Sequence, residues 1–264
     1  MTEKKIAVEE EGIEKAKMPF TAHLEELRRR LIVCLIAVAA GFGVCYYFST
    51  EIFQILMLPL LKALPEGEKL IYTGLPEAFF TYLKVGMYGG IILAVPVISY
   101  ELWGFVAPGL YKNERKYFIP FVIISTLLFL IGGFFGYFVV FPFGFQFFVG
   151  FADENLRAMP SVKEYFSLAI MLLFGFGVVF ELPLVMVFLG KMGVVNAKML
   201  SKGRKWAVLL VFVVAAILTP PDVVSQVLMA IPLMVLYEIS IVLVRIMARK
   251  KAESAELKEK NQGA

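Results

Sequence analysis

Glu181 is the residue in this sequence that most needs a chemical reason. It stands inside Tyr165 to Gly190, a run of twenty-six residues with no other charge. A charge near the centre of a bilayer costs at least about 2.5 to 3.5 kcal/mol on insertion scales. Such a carboxyl either faces a cavity, where it meets a polar ligand or a proton, or stays protonated against backbone freed by Pro183. Lys84 and Glu238 also interrupt apolar runs, but nearer the run ends, where long side chains reach the interface. A second candidate is the short segment from Glu101 to Lys116, which mixes acids and bases around Pro108 and Gly109. A plain connector has no need of Phe105 beside carboxylates, and Glu114 among basic neighbours offers bidentate acceptance to a guanidinium. The simpler reading is a basic loop that only sets orientation.

Other chemistries are excluded. His23 is the one histidine, and Cys34 and Cys45 share an apolar stretch; as helix they are about 16 Å apart, too far to bridge. Both cysteines read as small apolar fillers. No zinc spacing, phosphate loop, nucleophile elbow or metal-spaced carboxylate set occurs, so neither an enzyme nor a bound cofactor is expected.

The elements that must position these residues follow from composition. With 59% hydrophobic and 18% charged side chains in 264 residues, the chain is too apolar for a soluble domain. Its net charge of +4 is gathered in short flanks of apolar runs, a pattern of membrane orientation and not of nucleic-acid binding. Six runs read as spanning helices: Leu31 to Phe48, Ala78 to Tyr100, Tyr117 to Phe141, Tyr165 to Gly190, Trp206 to Thr219 and Val223 to Val244. The fifth has fourteen residues and rises only about 21 Å, so the membrane should thin beside it. Pro220, Pro221 and Asp222 then turn the chain into a hairpin.

Basic residues fall on one side. Arg28 to Arg30, Lys112, Arg115, Lys116, Lys198, Lys202, Arg204, Lys205 and Arg249 to Lys251 lie in alternate segments, whereas the opposite ones hold only Lys62, Lys69, Arg157 and Lys163 among many acids. Both termini are therefore expected in the cytoplasm. Phe20, Leu24, Leu27 and Leu31 share a helical face, which predicts an amphipathic N-terminal helix at the interface. Internal prolines at 96, 183 and 232, with Pro120 and Pro142 near run ends, predict a bowed bundle. Gly132 and Gly136 form a small-residue pair for close helix approach. The expected architecture is thus an all-α polytopic membrane protein. Residues 1–17 form a disordered extension, 18–247 a six-helix membrane domain and 248–264 a charged cytoplasmic tail.

Four stretches resemble the TatC family, the core component of the twin-arginine, or Sec-independent, protein translocase. They are His23 to Leu31, Phe105 to Arg115, Phe176 to Pro183 and Leu218 to Pro232. Gly109 stands where the family often has alanine. The resemblance implies a receptor in the bacterial inner membrane that binds the Arg-Arg signal peptide of folded cargo. It also implies recruitment of single-helix TatA- and TatB-type partners, several copies of the chain in one complex, and a drive from the proton-motive force. By motif position it implies Glu26, Arg28, Phe105 and Glu114 as the signal-peptide site, and Glu181 as a polar residue of a concave membrane face. Thr219 and Gln226 become contacts for a partner helix, and Asp222 an acid of the last turn. The competing reading is an ion-coupled small-solute transporter with Glu181, Lys84 and Glu238 as a proton relay, but such folds usually show internal repeats and none is visible here.

Overall fold

Residues 20–65, 68, 70–106, 118–151, 159–219 and 223–262 are described in a computed structural model of the chain. Among them the regular structure is helical, apart from one isolated parallel bridge between Ile71 and Ser161. The helices are α1 (Phe20–Tyr47), α2 (Ser49–Ala63), α3 (Glu77–Val106) and α4 (Phe118–Phe135). A π-helical turn (Gly136–Val140) follows, then α5 (Phe141–Val149), α6 (Val162–Phe180), α7 (Leu182–Lys191), α8 (Ala197–Lys202), α9 (Arg204–Leu218) and α10 (Val223–Gln262). The predicted extension 1–17 lies outside the described residues.

Five stretches are long and apolar enough to cross a bilayer: His23–Tyr47, Glu77–Val106, Phe118–Val149, Val162–Lys191 and Val223–Lys250. The sixth span is α9, whose 15 residues rise about 22 Å, short of a 30 Å hydrocarbon layer. The N-terminal amphipathic turns are continuous with the first span, and Leu24, Leu27 and Leu31 on them are exposed. The last span likewise runs on as one helix through Gln262.

Prolines bend the bundle by removing backbone donors. Pro183 ends α6, where the Glu181 N–H turns back to the Val178 and Val179 carbonyls before α7 starts. Pro142 follows directly on the π-helical turn and opens α5. Pro96 and Pro232 lie inside α3 and α10.

The sequence reading did not anticipate α2, a helix between the first two spans. It packs Ile52, Phe53 and Leu56 against the core and buries Pro59 and Leu60. Pro59 has no N–H for the Ile55 carbonyl four residues back, and the Tyr137 hydroxyl donates to that carbonyl at 2.6 Å. Tyr165 donates similarly to the Leu56 carbonyl. The densest core lies in the middle of the chain, where Phe141, Phe166, Phe176 and Met229 are fully buried. Gly132 allows α4 to approach α6 there: a Cβ on it would meet the Phe176 carbonyl carbon at 2.9 Å. Gly136 is less critical, with its nearest neighbour at 3.4 Å.

By contrast, α1 is held along one seam with α3. A Cβ on Gly90 would meet Phe42 Cα at 2.7 Å, and one on Gly86 would meet Tyr46 at 3.0 Å. The remaining faces of α1 carry exposed Leu31, Ile32, Leu35 and Ile36, as expected of a helix surrounded by acyl chains.

At the end of the bundle away from the chain termini, Glu77 ties two connections together. Its Oε2 accepts from the Thr73 and Gly74 N–H groups (2.7 and 3.2 Å) and from the Thr73 hydroxyl (3.1 Å). Its Oε1 accepts from the Ser161 hydroxyl (2.9 Å) and the Lys163 N–H (2.7 Å). The bridge Ile71 N–H to Pro160 O (3.1 Å) and Val162 N–H to Ile71 O (2.9 Å) completes this clasp.

Candidate functional site

Three places gather the polar residues. The first is a rim where the N-terminal turns of α1 meet the C-terminal turns of α3. His23 stacks on Phe105 with ring centroids 4.3 Å apart and planes 16° from parallel. Arg30 donates through Nε (3.0 Å) and a terminal nitrogen (2.6 Å) to Glu26 Oε1. Its other terminal nitrogen donates to Glu101 Oε2 at 2.8 Å. The guanidinium fits because residue 104 is glycine; a Cβ there would meet Arg30 Cζ at 3.1 Å. Glu26 Oε2 is buried without a hydrogen-bond partner, an unsatisfied acceptor on a side chain that lines a cavity of about 270 Å³ with Arg29, Arg30, Val33, Tyr100 and Glu101. The rim can therefore take a donor, and a planar guanidinium matches a carboxylate oxygen best. Of the sequence-derived site, Glu26 and Phe105 come together here. Arg28 lies on the exposed side of α1, and Glu114 lies outside the described residues.

Sequence reasoning did not single out Arg30, and it had Glu101 only as the start of the candidate segment Glu101 to Lys116. The spacing of Glu26 and Arg30, four residues apart on one helix, was a readable signal. Nothing local announced Glu101, whose partner is 71 residues away.

The second place is Glu181, half-buried at the break between α6 and α7. Ser125 Oγ donates to Glu181 Oε1 at 3.0 Å and lies 3.3 Å from Ser99 Oγ. Both serines are buried, so a ladder of three polar side chains crosses α3, α4 and the helix break inside the apolar layer. That arrangement satisfies one carboxyl oxygen and explains how the residue is tolerated. The transporter relay is not assembled: Glu238 pairs with Arg204 through both its oxygens (2.6 and 2.9 Å), and no ion pair or hydrogen bond joins it or Lys84 to Glu181 among the described residues.

The third place is the hairpin of α9 and α10. The Thr219 hydroxyl donates to the Ala215 carbonyl (2.9 Å), and Gln226 Nε2 donates to the Phe212 carbonyl (3.0 Å). These bonds use the Thr219 hydroxyl and one Gln226 N–H, and they fix the Gln226 amide with its carbonyl oxygen as an acceptor. Asp222 lies outside the described residues. Beside α9 a cleft of about 610 Å³ opens between α3, α6 and α9, lined by Lys84, Tyr88, Ser167, Phe174, Val178 and Leu218, among others.

Fold and sites together define a multi-pass α-helical membrane protein with a charged rim at one end and an open cleft beside α9. The family model described as Sec-independent protein translocase protein (TatC) matches residues 22–232. The chain belongs to that family: it is a component of the Sec-independent protein translocase, set in the inner membrane, and not an enzyme. It is 54% identical over 243 residues to the TatC protein of Desulforapulum autotrophicum, covering 92% of this chain and 90% of the relative. The TatC protein of Escherichia coli K12 is 43% identical over 223 residues, covering 84% and 86%. A crystal structure of a twin-arginine translocase receptor, TatC, superposes with a TM-score of 0.76 at 44% identity, covering 84% of this chain and 97% of that one. A second crystal structure, of the receptor in the detergent DDM, gives 0.78 at the same identity.

Proposed function

We propose that this chain is the receptor of its translocase, reading the paired arginines of a signal peptide at the rim of α1 and α3. Glu26, Arg28, Phe105 and Glu114 form the site, on the cytoplasmic side together with both termini. The observation that carries this reading is the Glu26 carboxylate, held against α3 by Arg30 with one oxygen still unsatisfied. An arginine of the signal supplies the missing donor, Glu114 takes its neighbour, and the Phe105 ring packs against the aliphatic stems.

The α9–α10 hairpin, through Thr219 and Gln226, contacts a single-helix partner of the TatA or TatB type. A fixed amide acceptor in an apolar layer favours a partner helix with a donor at the same depth. Glu181 is the polar station of the membrane face, and Asp222 shapes the turn of the hairpin. Several copies of the chain assemble with their partners, and the proton-motive force drives passage of folded cargo.

The test is site-specific crosslinking of a twin-arginine precursor. Glu114→Ala abolishes the crosslink while leaving the protein inserted at its normal level. Undiminished crosslinking removes the assignment.

A further inference from the structure

The cleft between α3, α6 and α9 contains three side chains with a hydrogen to give and no protein acceptor. Among the described residues, Lys84, Tyr88 and Ser167 line it, and none of them makes a hydrogen bond or ion pair. A helical serine commonly turns back to a carbonyl one turn earlier; Ser167 does not. An ammonium group in an apolar cleft without a counter-ion is costly, so the acids around it matter.

Among the described residues, the acids nearest the cleft on these elements are engaged or set elsewhere. On α3, Glu77 is seven residues from Lys84, about 10 Å along the helix, and its carboxylate already accepts five hydrogen bonds in the clasp. On α6, Glu164 lines a different cleft, with Leu60 and Phe148. Glu181 lies fourteen residues beyond Ser167, about 21 Å of helix, and is bonded to Ser125. From Trp206 to Leu218, α9 carries no acid. Among the described residues Lys84 thus meets no anion.

We propose that Lys84, Ser167 and Tyr88 bind the phosphate of an anionic phospholipid whose acyl chains lie in this cleft. Three donors and one positive charge call for a ligand rich in acceptors and negative, which a phosphodiester is. The depth agrees. The clasp marks the polar end of α3, and the four-carbon stem of Lys84, about 10 Å below it, reaches back toward headgroup level. Below the donors the walls are Ile170, Phe174, Val178 and Leu218, which suit an acyl chain and offer nothing to a soluble anion. Gly175 lets Leu218 close the floor, since a Cβ there would meet Leu218 Cδ1 at 2.8 Å.

The experiment uses the full chain in detergent, with lipid retention read by native mass spectrometry against phosphatidylglycerol, phosphatidylcholine and soluble glycerol phosphate. The wild type retains phosphatidylglycerol over phosphatidylcholine. Lys84→Gln lowers that preference roughly tenfold, the scale of one charge-assisted contact, and Lys84→Arg keeps it. Should Lys84→Gln fold poorly, Ser167→Ala with Tyr88→Phe leaves the charge intact and lowers retention about threefold. Equal preference in wild type and Lys84→Gln overturns the proposal. Full competition by glycerol phosphate overturns it too, because the acyl chain would then play no part. A photo-crosslinker at Val214 that captures a protein helix in native membranes, and no lipid, assigns the cleft to a different occupant.

Discussion

Replacing Gly90 by alanine tests how α1 is held. The new Cβ would press on the Phe42 backbone nitrogen and lie 2.7 Å from Phe42 Cα and 2.8 Å from the Gly41 carbonyl carbon, against 3.4 Å or more in ordinary contact, so the two helices must part by about 1 Å. Both obstacles are backbone, and no rotamer change relieves them. Overpacking of this kind costs about 1–3 kcal/mol. Alanine also gains about 1 kcal/mol over glycine in helix propensity, which masks part of the effect. Gly43, on α1 beside the residues that Gly90 meets, supplies the control, because a Cβ there meets nothing within 4 Å. Gly43→Ala carries the propensity gain without the clash, so the difference between the two variants isolates the contact. At about 2–4 °C per kcal/mol for a chain of this size, Gly90→Ala melts roughly 2–12 °C below Gly43→Ala in detergent. The same separation loosens the rim, since His23, Glu26 and Arg30 on α1 find Glu101 and Phe105 on α3. Binding of a twin-arginine peptide falls in Gly90→Ala and not in Gly43→Ala. Equal melting temperatures for the two refute the reasoning that a glycine-to-backbone seam fixes α1.

Three further outcomes are expected. Glu77→Ala leaves the Thr73, Gly74 and Lys163 amides without an acceptor, and their hydrogen exchange accelerates at least about tenfold while α9 is unchanged; unaltered protection would show that the clasp does not depend on this carboxylate. Gly89→Cys places a Cβ 3.0 Å from the Cys45 Cβ, so a parting of the two helices by about half an ångström reaches disulfide distance and oxidation links the pair once Cys34 is removed, whereas Gly43→Cys stays free in thiol labelling. Gln226→Leu removes the amide acceptor at the α9–α10 hairpin, and crosslinking to a TatA- or TatB-type helix drops while insertion is unaffected; an unchanged crosslink would move the partner contact elsewhere.

The spans were legible because bilayer thickness sets a length and hydrocarbon forbids charge, two constraints that act on contiguous residues. Even the short α9 could be measured from Trp206 to Thr219. The bends were legible for the same reason: Pro142 and Pro183 act on their own turn. What escaped was every pairing made by the tertiary fold. Glu77 read as one acid among many in a connection, although it knots residues 84 and 86 positions away. Gly41 and Gly90 looked like ordinary membrane glycines until they met. In α2 the spacing of Ile52, Leu56 and Leu60 was helical all along, but the segment is too short and too polar at its start to stand out beside true spans. At the rim, motif likeness gave Glu26 and Phe105, and physics added Arg30 and Glu101 only once α1 lay against α3.

The Glu77 clasp also bears on how the chain is made. Ser161 leaves the ribosome 84 residues after Glu77, a delay of roughly 4–17 seconds at ordinary synthesis rates. Through that interval Glu77 Oε1 and the Ile71 N–H wait without their partners, and the first loop can be tied to the later one only after the third span has crossed and the fourth has begun to follow. A nascent chain that threads the wrong way never brings Ser161 and Lys163 to Glu77. The knot thus rewards correct threading, and a misrouted chain is left with its first connection loose and open to proteases.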